Sequence, residues 1–173
     1  IDTTQYRAQY YNDPNDPASE RISRDKFQYY NPRMLRKNGS RWMYNDRKLN
    51  VYAAVDFAFS LNKAADWTAI VVIGIDYEKN VYVLDMDRFK TDRVKEYFDH
   101  IARLHSQWGF SKLRAEVTVA QTVIVNGIKD HIRKEGMSLP IDEFRPSARE
   151  GSKEERIKAT LEHRYDNLEV WHR

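Results

Sequence analysis

The stretch Val51-Tyr52-Ala53-Ala54-Val55-Asp56 has an apolar strand pattern that ends in a carboxylate. A second run, Leu113-Arg114-Ala115-Glu116-Val117, carries another acid inside a strand-like segment. Burying a carboxylate among apolar side chains is costly unless the charge is compensated, so each acid requires a positively charged or hydrogen-bonding partner. Two carboxylates on neighbouring strands can share a divalent cation, and this pair therefore predicts metal-dependent phosphodiester chemistry.

The patterns on both sides of these acids indicate the fold class. Three strand-like segments come first, and the turn at 77–80 makes the last two an antiparallel hairpin. Helical and strand patterns then alternate, which is typical of right-handed crossovers onto parallel strands. The sequence predicts an α/β domain with a ribonuclease H-like mixed sheet, three antiparallel strands followed by βα units, flanked by helices. The predicted strands are 51–56, 68–76, 81–89, 113–117, 140–146 and 168–171, and the predicted helices cover 94–108, 124–132 and the segment that starts at Ser152.

The composition is that of a soluble globular domain. The chain has 173 residues, of which 41% are hydrophobic and 32% charged, enough for one domain with a core. It has no apolar run of the roughly 20 residues that span a bilayer, so we expect no membrane partner. The absence of cysteine excludes disulfides and thiolate metal sites. A net charge of +3 is compatible with a nucleic-acid partner without identifying one.

Residues 1–48 differ in pattern from the rest of the chain. A turn-rich break at 12–17 and Gly39-Ser40 flank a segment with many aromatic side chains, which is too apolar for a free linker. We expect residues 1–48 to be an extended interdomain arm that follows a preceding domain and packs through its rings. Residues 49–173 are then the catalytic domain, C-terminally incomplete.

Each candidate site residue also has a plain structural explanation. Asp56 could cap a turn at a strand end, and Glu116 could face solvent beside Arg114. Asp66, before the second strand, could be an ordinary turn residue or a third acid near the site. The functional interpretation rests on the pairing, because the strands of Asp56 and Glu116 are expected to be neighbours at the centre of the sheet.

Other chemistries lack their motifs. The chain has no G-x-x-x-x-G-K-[ST] and no G-x-S-x-G, and its five histidines are not spaced as helical zinc ligands. A basic cluster before and within the last helix could contact the phosphates of DNA or simply be solvated. The four candidate DNA contacts are Arg145, Arg149, Lys153 and Arg156.

Taken in order, several motifs resemble the C-terminal nuclease domain of a tailed-bacteriophage terminase large subunit, part of a DNA-packaging motor. The segment from Tyr6 to Tyr30 is similar to the link between the ATPase and nuclease domains of that family. Residues 51–56 followed by Ala65-Asp66-Trp67-Thr68-Ala69-Ile70 resemble the first catalytic strand and the D-x-T-A-I entry to the second. Ala115-Glu116 matches the second acidic position, and residues 152–157 resemble a recurrent helix start.

The resemblance implies an endonuclease that cuts double-stranded viral DNA during genome packaging. Asp56 and Glu116 would hold two Mg²⁺ or Mn²⁺ ions with Asp66 assisting, and the third metal ligand of the family would follow the last strand, beyond Arg173. The implied partners are double-stranded DNA, the protein's own ATPase domain, a small terminase subunit and the portal. The implied location is the cytoplasm of the host cell.

Two other functions stay open. A junction resolvase or a transposase core would share the fold and the pair Asp56 and Glu116. A non-catalytic DNA-binding or docking module could keep the fold without a working site. Cleavage specific for DNA junctions would favour the first alternative, and failure to bind Mn²⁺ would favour the second.

Overall fold

The structure is a computed structural model that describes residues 22–58, 67–118, 121–145 and 152–173. These ranges contain nine strands and three α-helices, together with short 3-10 turns before β1 and β2. In chain order the elements are β1 (Gln28–Tyr29), β2 (Leu35–Asn38), β3 (Arg41–Tyr44), β4 (Arg47–Asp56), β5 (Thr68–Ile75), β6 (Val81–Phe89), α1 (Val94–Trp108), β7 (Leu113–Glu116), α2 (Thr122–Lys134), β8 (Ile141–Phe144), α3 (Lys153–Asp166) and β9 (Val170–His172).

The strands form one mixed sheet, as predicted. β4, β5 and β6 are antiparallel neighbours, and β7 pairs in parallel with the C-terminal half of β4. β8 extends the sheet in parallel beyond β7, while β9 and β1 extend it in parallel beyond β6. The antiparallel hairpin of β2 and β3 pairs with the N-terminal end of β4. The edge of β4 is therefore shared by two different partners.

Helices α1 and α2 cover one face of this sheet. Their apolar side chains recur with helical spacing, which gives each helix one buried stripe. Helix α1 ends at Gly109, whose φ of 61° is a left-handed conformation that glycine adopts readily. The buried side chains are Tyr97, Phe98, Ile101, Leu104 and Trp108 in α1, and Ile124, Val125, Ile128 and Ile132 in α2.

The other face, here called the open face, is less covered. Connections through α1 and α2 run in one direction across the sheet, whereas the connection from β8 to β9 runs back, so a right-handed crossover puts α3 on the opposite side. The capping box that the sequence predicts at Ser152 and Glu155 is present at the start of α3. Helical spacing predicts that Ile157 and Leu161 of α3 point inward, but these side chains are 46% and 37% exposed.

A β-bulge in β6 changes which side chains lie on the open face. Val72 pairs with Asp85, but Ile73 pairs with Val83, so one extra residue of β6 lies between them. Beyond the bulge, Asp85 and Asp87 reach α1, where Trp108 Nε1 donates to Asp85 at 2.8 Å and His100 Nδ1 lies 2.7 Å from Asp87. The alternate residues of this part of β6 therefore point toward the open face.

The described part of the N-terminal arm has more regular structure than the sequence analysis expected. β1, β2 and β3 all lie within residues 28–44, and all join the sheet. Tyr30 is 4% exposed, its hydroxyl donates to the Val83 carbonyl at 3.0 Å, and its ring lies 5.6 Å from that of Tyr44. The expected aromatic anchoring is thus present at Tyr30. Residues 1–21 lie outside the described ranges, and the boundary at residue 48 stays a prediction.

Within the described ranges, no helix is both long enough and apolar enough to cross a lipid bilayer.

Asp76, in the turn between β5 and β6, is the most heavily hydrogen-bonded acid of the sheet. It is 3% exposed, and its Oδ1 accepts the backbone N–H groups of Glu78 and Asn80, each at 2.9 Å. Its Oδ2 accepts Asn80 Nδ2, the Tyr82 hydroxyl and Arg47 Nη1 at 3.0, 3.2 and 3.3 Å. Burial alone would raise the pKa of Asp76, but these donors outweigh burial and lower it. Burial and the nearby Asp76 charge raise the pKa of Tyr82 to about 12.

Replacement of Asp76 by Asn should destabilise the fold by about 2–4 kcal/mol at pH 7, because an amide nitrogen cannot accept the donors that now face Oδ2. Urea unfolding followed by circular dichroism measures this loss. Asp99→Asn is the matched control, since Asp99 is a half-exposed acid paired with Lys95 on α1, and its effect should stay below about 1 kcal/mol.

Because the folded pKa of Asp76 is lowered, its contribution to stability is complete above its unfolded pKa of about 4 and is lost as the pH falls through the folded value. The difference between parent and Asp76→Asn should therefore shrink below about pH 4, and a constant difference would contradict this assignment.

Candidate active site

Asp56 and Glu116 end two strands that lie side by side. Asp56 is the last residue of β4, Glu116 is the last residue of β7, and the two are register partners in a parallel pair. Paired residues on adjacent strands point to the same face of a sheet, and their backbones lie about 5 Å apart. The side chains of Asp56 and Glu116 are 58% and 30% exposed. The sequence-based expectation that these two strands are central neighbours is confirmed.

The pair belongs to a row of residues that runs across the open face. Asp56 pairs with Ala69 of β5, and Ala69 pairs with Arg88 of β6. In the other direction, Glu116 pairs with Phe144 of β8. All five side chains are at least partly exposed, whereas their sequence neighbours Val55, Ile70 and Ala115 are buried. The acids are therefore presented at a surface, with their strands anchored in the core.

Gln121 holds together the two backbone segments that follow the acids. Its side-chain amide Nε2 donates to the Phe57 carbonyl at 2.7 Å, directly after Asp56. Its Oε1 accepts the backbone N–H of Thr118 at 2.8 Å and the Thr118 hydroxyl at 3.1 Å, just after Glu116. A further tie comes from the Thr68 hydroxyl oxygen, which accepts the Ala58 N–H at 3.0 Å. The sequence analysis did not identify Gln121, because no pattern along the chain reveals which backbone groups its amide reaches.

Two basic residues in the first turn of α3 neutralise the acids. Lys153 Nζ lies 2.6 Å from Asp56 Oδ2, and Arg156 Nη2 lies 3.0 Å from Glu116 Oε1. The guanidinium of Arg156 also lies 5.7 Å from the ring centre of Phe144. The sequence proposed both basic residues as DNA contacts, and in this structure they contact the two candidate metal ligands. Contact of Lys153 or Arg156 with DNA stays a prediction.

Of the remaining predicted site residues, the structure describes Arg145, which contacts Glu143 at 3.1 Å. Asp66 and Arg149 lie outside the described residues, so their place relative to the pair stays a prediction. Hydrogen bonds from Lys129 and Arg145 lower the pKa of Glu143 against the effect of its burial. In the parts of the chain that the structure describes, no group of three or more His, Asp or Glu side chains is arranged to hold a metal ion.

The donor chemistry of the pair fits a hard divalent cation. Carboxylate oxygens are the ligands that Mg²⁺ and Mn²⁺ prefer, and both acids are accessible from the open face. Lys153 and Arg156 show that this place on the sheet already attracts positive charge. Two carboxylates offset only half the charge of two divalent ions, so a two-ion site would need a further acid.

Comparisons with known proteins support the same fold. No protein-family model matches the sequence, and no curated protein matches it either. A crystal structure of the large terminase nuclease from thermophilic phage G20c with bound zinc has a TM-score of 0.52 to this chain at 12% identity, and the match covers 86% of this chain and 77% of that chain. A second crystal structure of the same nuclease has a TM-score of 0.50 at 14% identity, over 86% and 70% of the two chains.

The fold is similar to that of the large terminase nuclease of phage G20c. The predicted ribonuclease H-like class is confirmed with it, including the antiparallel strands that precede the parallel units. At 12–14% identity the likeness concerns the fold alone, so the activity of this chain has to be argued from its own residues.

Gln121→Leu should loosen the candidate site. Leucine has a similar size, but it leaves the Phe57 carbonyl and the Thr118 N–H without their side-chain partner, which should cost about 1–3 kcal/mol of unfolding free energy. Urea unfolding measures the loss, and Gln107→Leu on the exposed side of α1 is the control for the same substitution. Equal stability of the two variants would show that the amide of Gln121 does not brace the strand ends.

Lys153→Gln should raise the affinity of the protein for Mn²⁺, because the lysine competes with the ion for Asp56. An ion pair this exposed is worth at most about 1 kcal/mol, so we expect an increase of up to about fivefold in a calorimetric Mn²⁺ titration. Lys158→Gln is the control, since Lys158 lies on the same helix and pairs with Glu162. An unchanged or weaker Mn²⁺ affinity in Lys153→Gln would mean that the lysine does not compete at this position.

Proposed function

We propose that this chain is a metal-dependent endonuclease that cuts double-stranded DNA, and that it serves as the nuclease domain of a terminase large subunit during viral genome packaging. The observation that carries the proposal is the register pair of Asp56 and Glu116 at the exposed end of two central strands. The fold shared with a large terminase nuclease supports it.

Asp56 and Glu116 are the residues that would hold Mg²⁺ or Mn²⁺. Their strands are parallel neighbours, so the rigid sheet fixes their separation, and Gln121 restrains the segments that follow them. When bound, the ions would stabilise the charge on the attacking and leaving oxygens of a phosphodiester. Asp66, which lies outside the described residues, remains the proposed assisting acid, and the resemblance implies a third ligand beyond Arg173.

The reaction is hydrolysis of a DNA phosphodiester. Water attacks phosphorus, the bond from phosphorus to the 3′ oxygen breaks, and the products carry a 3′-hydroxyl and a 5′-phosphate. If Asp56 and Glu116 held metal ions, their ion pairs with Lys153 and Arg156 would weaken, and both basic side chains could then contact phosphate oxygens of the DNA backbone.

The biological setting follows from the family resemblance. Its partners would be double-stranded DNA, an ATPase domain of the same protein, a small terminase subunit and the portal, in the cytoplasm of an infected host cell. Phosphate contacts from basic side chains would give affinity without sequence preference.

Asp56→Asn and Glu116→Gln should each lower Mn²⁺-dependent cleavage of plasmid DNA by about 100-fold or more, because each removes a charged ligand. Cleavage is followed on gels with millimolar Mn²⁺ and, in parallel, with EDTA. Asp99→Asn on α1 is the control for carboxylate-to-amide replacement on the far side of the sheet. Circular dichroism checks that every variant is folded.

Further arms of the experiment test the alternatives. Undiminished cleavage by Asp56→Asn would overturn the assignment, and no cleavage by any form, together with no Mn²⁺ binding, would favour a docking module. A four-way junction cut in preference to a linear duplex would favour a resolvase. Two further cleavage rates distinguish the proposed sources of the third ligand. A lower rate in Asp66→Asn identifies Asp66, and a higher rate in a chain extended beyond Arg173 identifies a ligand in that extension.

A further inference from the structure

An exposed tryptophan with two cations lies near the candidate active site. Trp67 directly precedes β5 and is 50% exposed. The guanidinium of Arg88 lies 4.4 Å from the centre of its ring system, and Lys90 Nζ lies 5.0 Å from it. Trp67, Arg88 and Lys90 are here called the tryptophan cluster.

The tryptophan cluster lies on the same face of the sheet as the acids. Arg88 pairs with Ala69, and Ala69 pairs with Asp56, so the three residues form one row across three strands. Trp67 and Lys90 are each two residues from a member of this row, at positions that strand alternation assigns to the same face. With strands about 4.8 Å apart, the backbone of Arg88 is about 10 Å from that of Asp56. This distance corresponds to only a few nucleotides along a DNA strand.

The charges of the tryptophan cluster differ from those around it. Most basic side chains near the acids have carboxylate partners, as Lys153, Arg156 and Arg114 do. Among the described residues, Arg88 and Lys90 form no ion pair, and the contact they do make is with an uncharged ring. The bulge in β6 is what turns Arg88 toward this face. The result is a patch with two positive charges and an accessible aromatic surface.

A cation–π contact at an exposed site stabilises a fold only modestly, so the arrangement could simply cover the ring. That explanation accounts for a cation beside the indole, but it does not account for a large ring left half exposed in line with the acids. A ligand with phosphates and flat bases satisfies both features, since cations bind the phosphates and an aromatic ring stacks on a base or packs on a sugar.

We propose that the tryptophan cluster binds the DNA strand next to the phosphodiester that is cut. Arg88 and Lys90 contact phosphates, and Trp67 contacts the sugar or an unpaired base of an adjacent nucleotide. The inference rests on the proposed function, because it takes DNA as the substrate of the acids. It adds a second contact region, on the side of Asp56 away from Glu116, that fixes the position of the strand.

The test is DNA binding by fluorescence anisotropy in EDTA, which separates binding from cleavage. Two probes of the same sequence are used, a fully paired duplex and a duplex with a single-stranded tail. Trp67→Ala should weaken binding by about 5- to 100-fold, with little change in its salt dependence, because stacking is lost and charge is kept. Arg88→Gln combined with Lys90→Gln should reduce the slope of log affinity against log salt by about 1.8 on the duplex, since two phosphate contacts are lost.

Controls separate this binding from general effects. Lys95→Gln removes one positive charge from α1, on the opposite side of the sheet, and should leave binding within about twofold of the parent. Trp67→Phe keeps a flat ring and should lose less affinity than Trp67→Ala. Stronger loss on the tailed probe identifies an unpaired base as the contact, and equal loss on both probes identifies the sugar and phosphate of the duplex.

The inference is overturned if the parent does not bind either probe, or if Trp67→Ala and the double variant bind both probes as the parent does. Its failure is distinguishable from failure of the proposed nuclease. If cleavage depends on Asp56 but binding does not depend on Trp67, only the proposed role of the tryptophan cluster is rejected. If binding depends on Trp67 but cleavage does not depend on Asp56, the proposed nuclease site is rejected and the DNA contact of the tryptophan cluster stands.

Discussion

Parallel pairing of β4 with β7 is the constraint on which the candidate site depends. The two strands enter the sheet from distant parts of the sequence, and their register puts Asp56 beside Glu116. A shift by one residue would turn one of the acids into the core, because side chains alternate between faces. The buried residues before each acid, Val55 and Ala115, hold that register by filling the core. The position of the acids is therefore a consequence of packing on the opposite face.

The two faces of the sheet have different tasks. The face under α1 and α2 supplies the apolar core, whereas the open face carries the acids, the tryptophan cluster and only partly buried apolar side chains such as Val71 and Ile73. The bulge in β6 serves both faces, because Asp85 and Asp87 bond to α1 while Arg88 lies on the open face. One inserted residue therefore allows the same strand to hold α1 and to add positive charge to the open face.

Charge balance links helix α3 to the candidate site. Lys153 and Arg156 neutralise Asp56 and Glu116, and these ion pairs join the first turn of α3 to the sheet. The guanidinium of Arg156 also lies 5.7 Å from the ring centre of Phe144 in β8, so this end of α3 contacts three neighbouring strands.

The sequence by itself determined the order of the elements from β4 onward, the buried stripes of α1 and α2, the capping box of α3 and the two acids, because periodicity and caps are local properties of the chain. It also indicated that the strands of Asp56 and Glu116 would be neighbours, through the topology that the element order implies. The described arm was more regular than expected, since β1 pairs with β9 and the hairpin of β2 and β3 pairs with β4. Only the tertiary structure decided the bridge made by Gln121, the bulge that turns Arg88, and the pairing of Lys153 with Asp56. Each of these joins residues that are separated in sequence, and such contacts depend on how the strands are registered and packed.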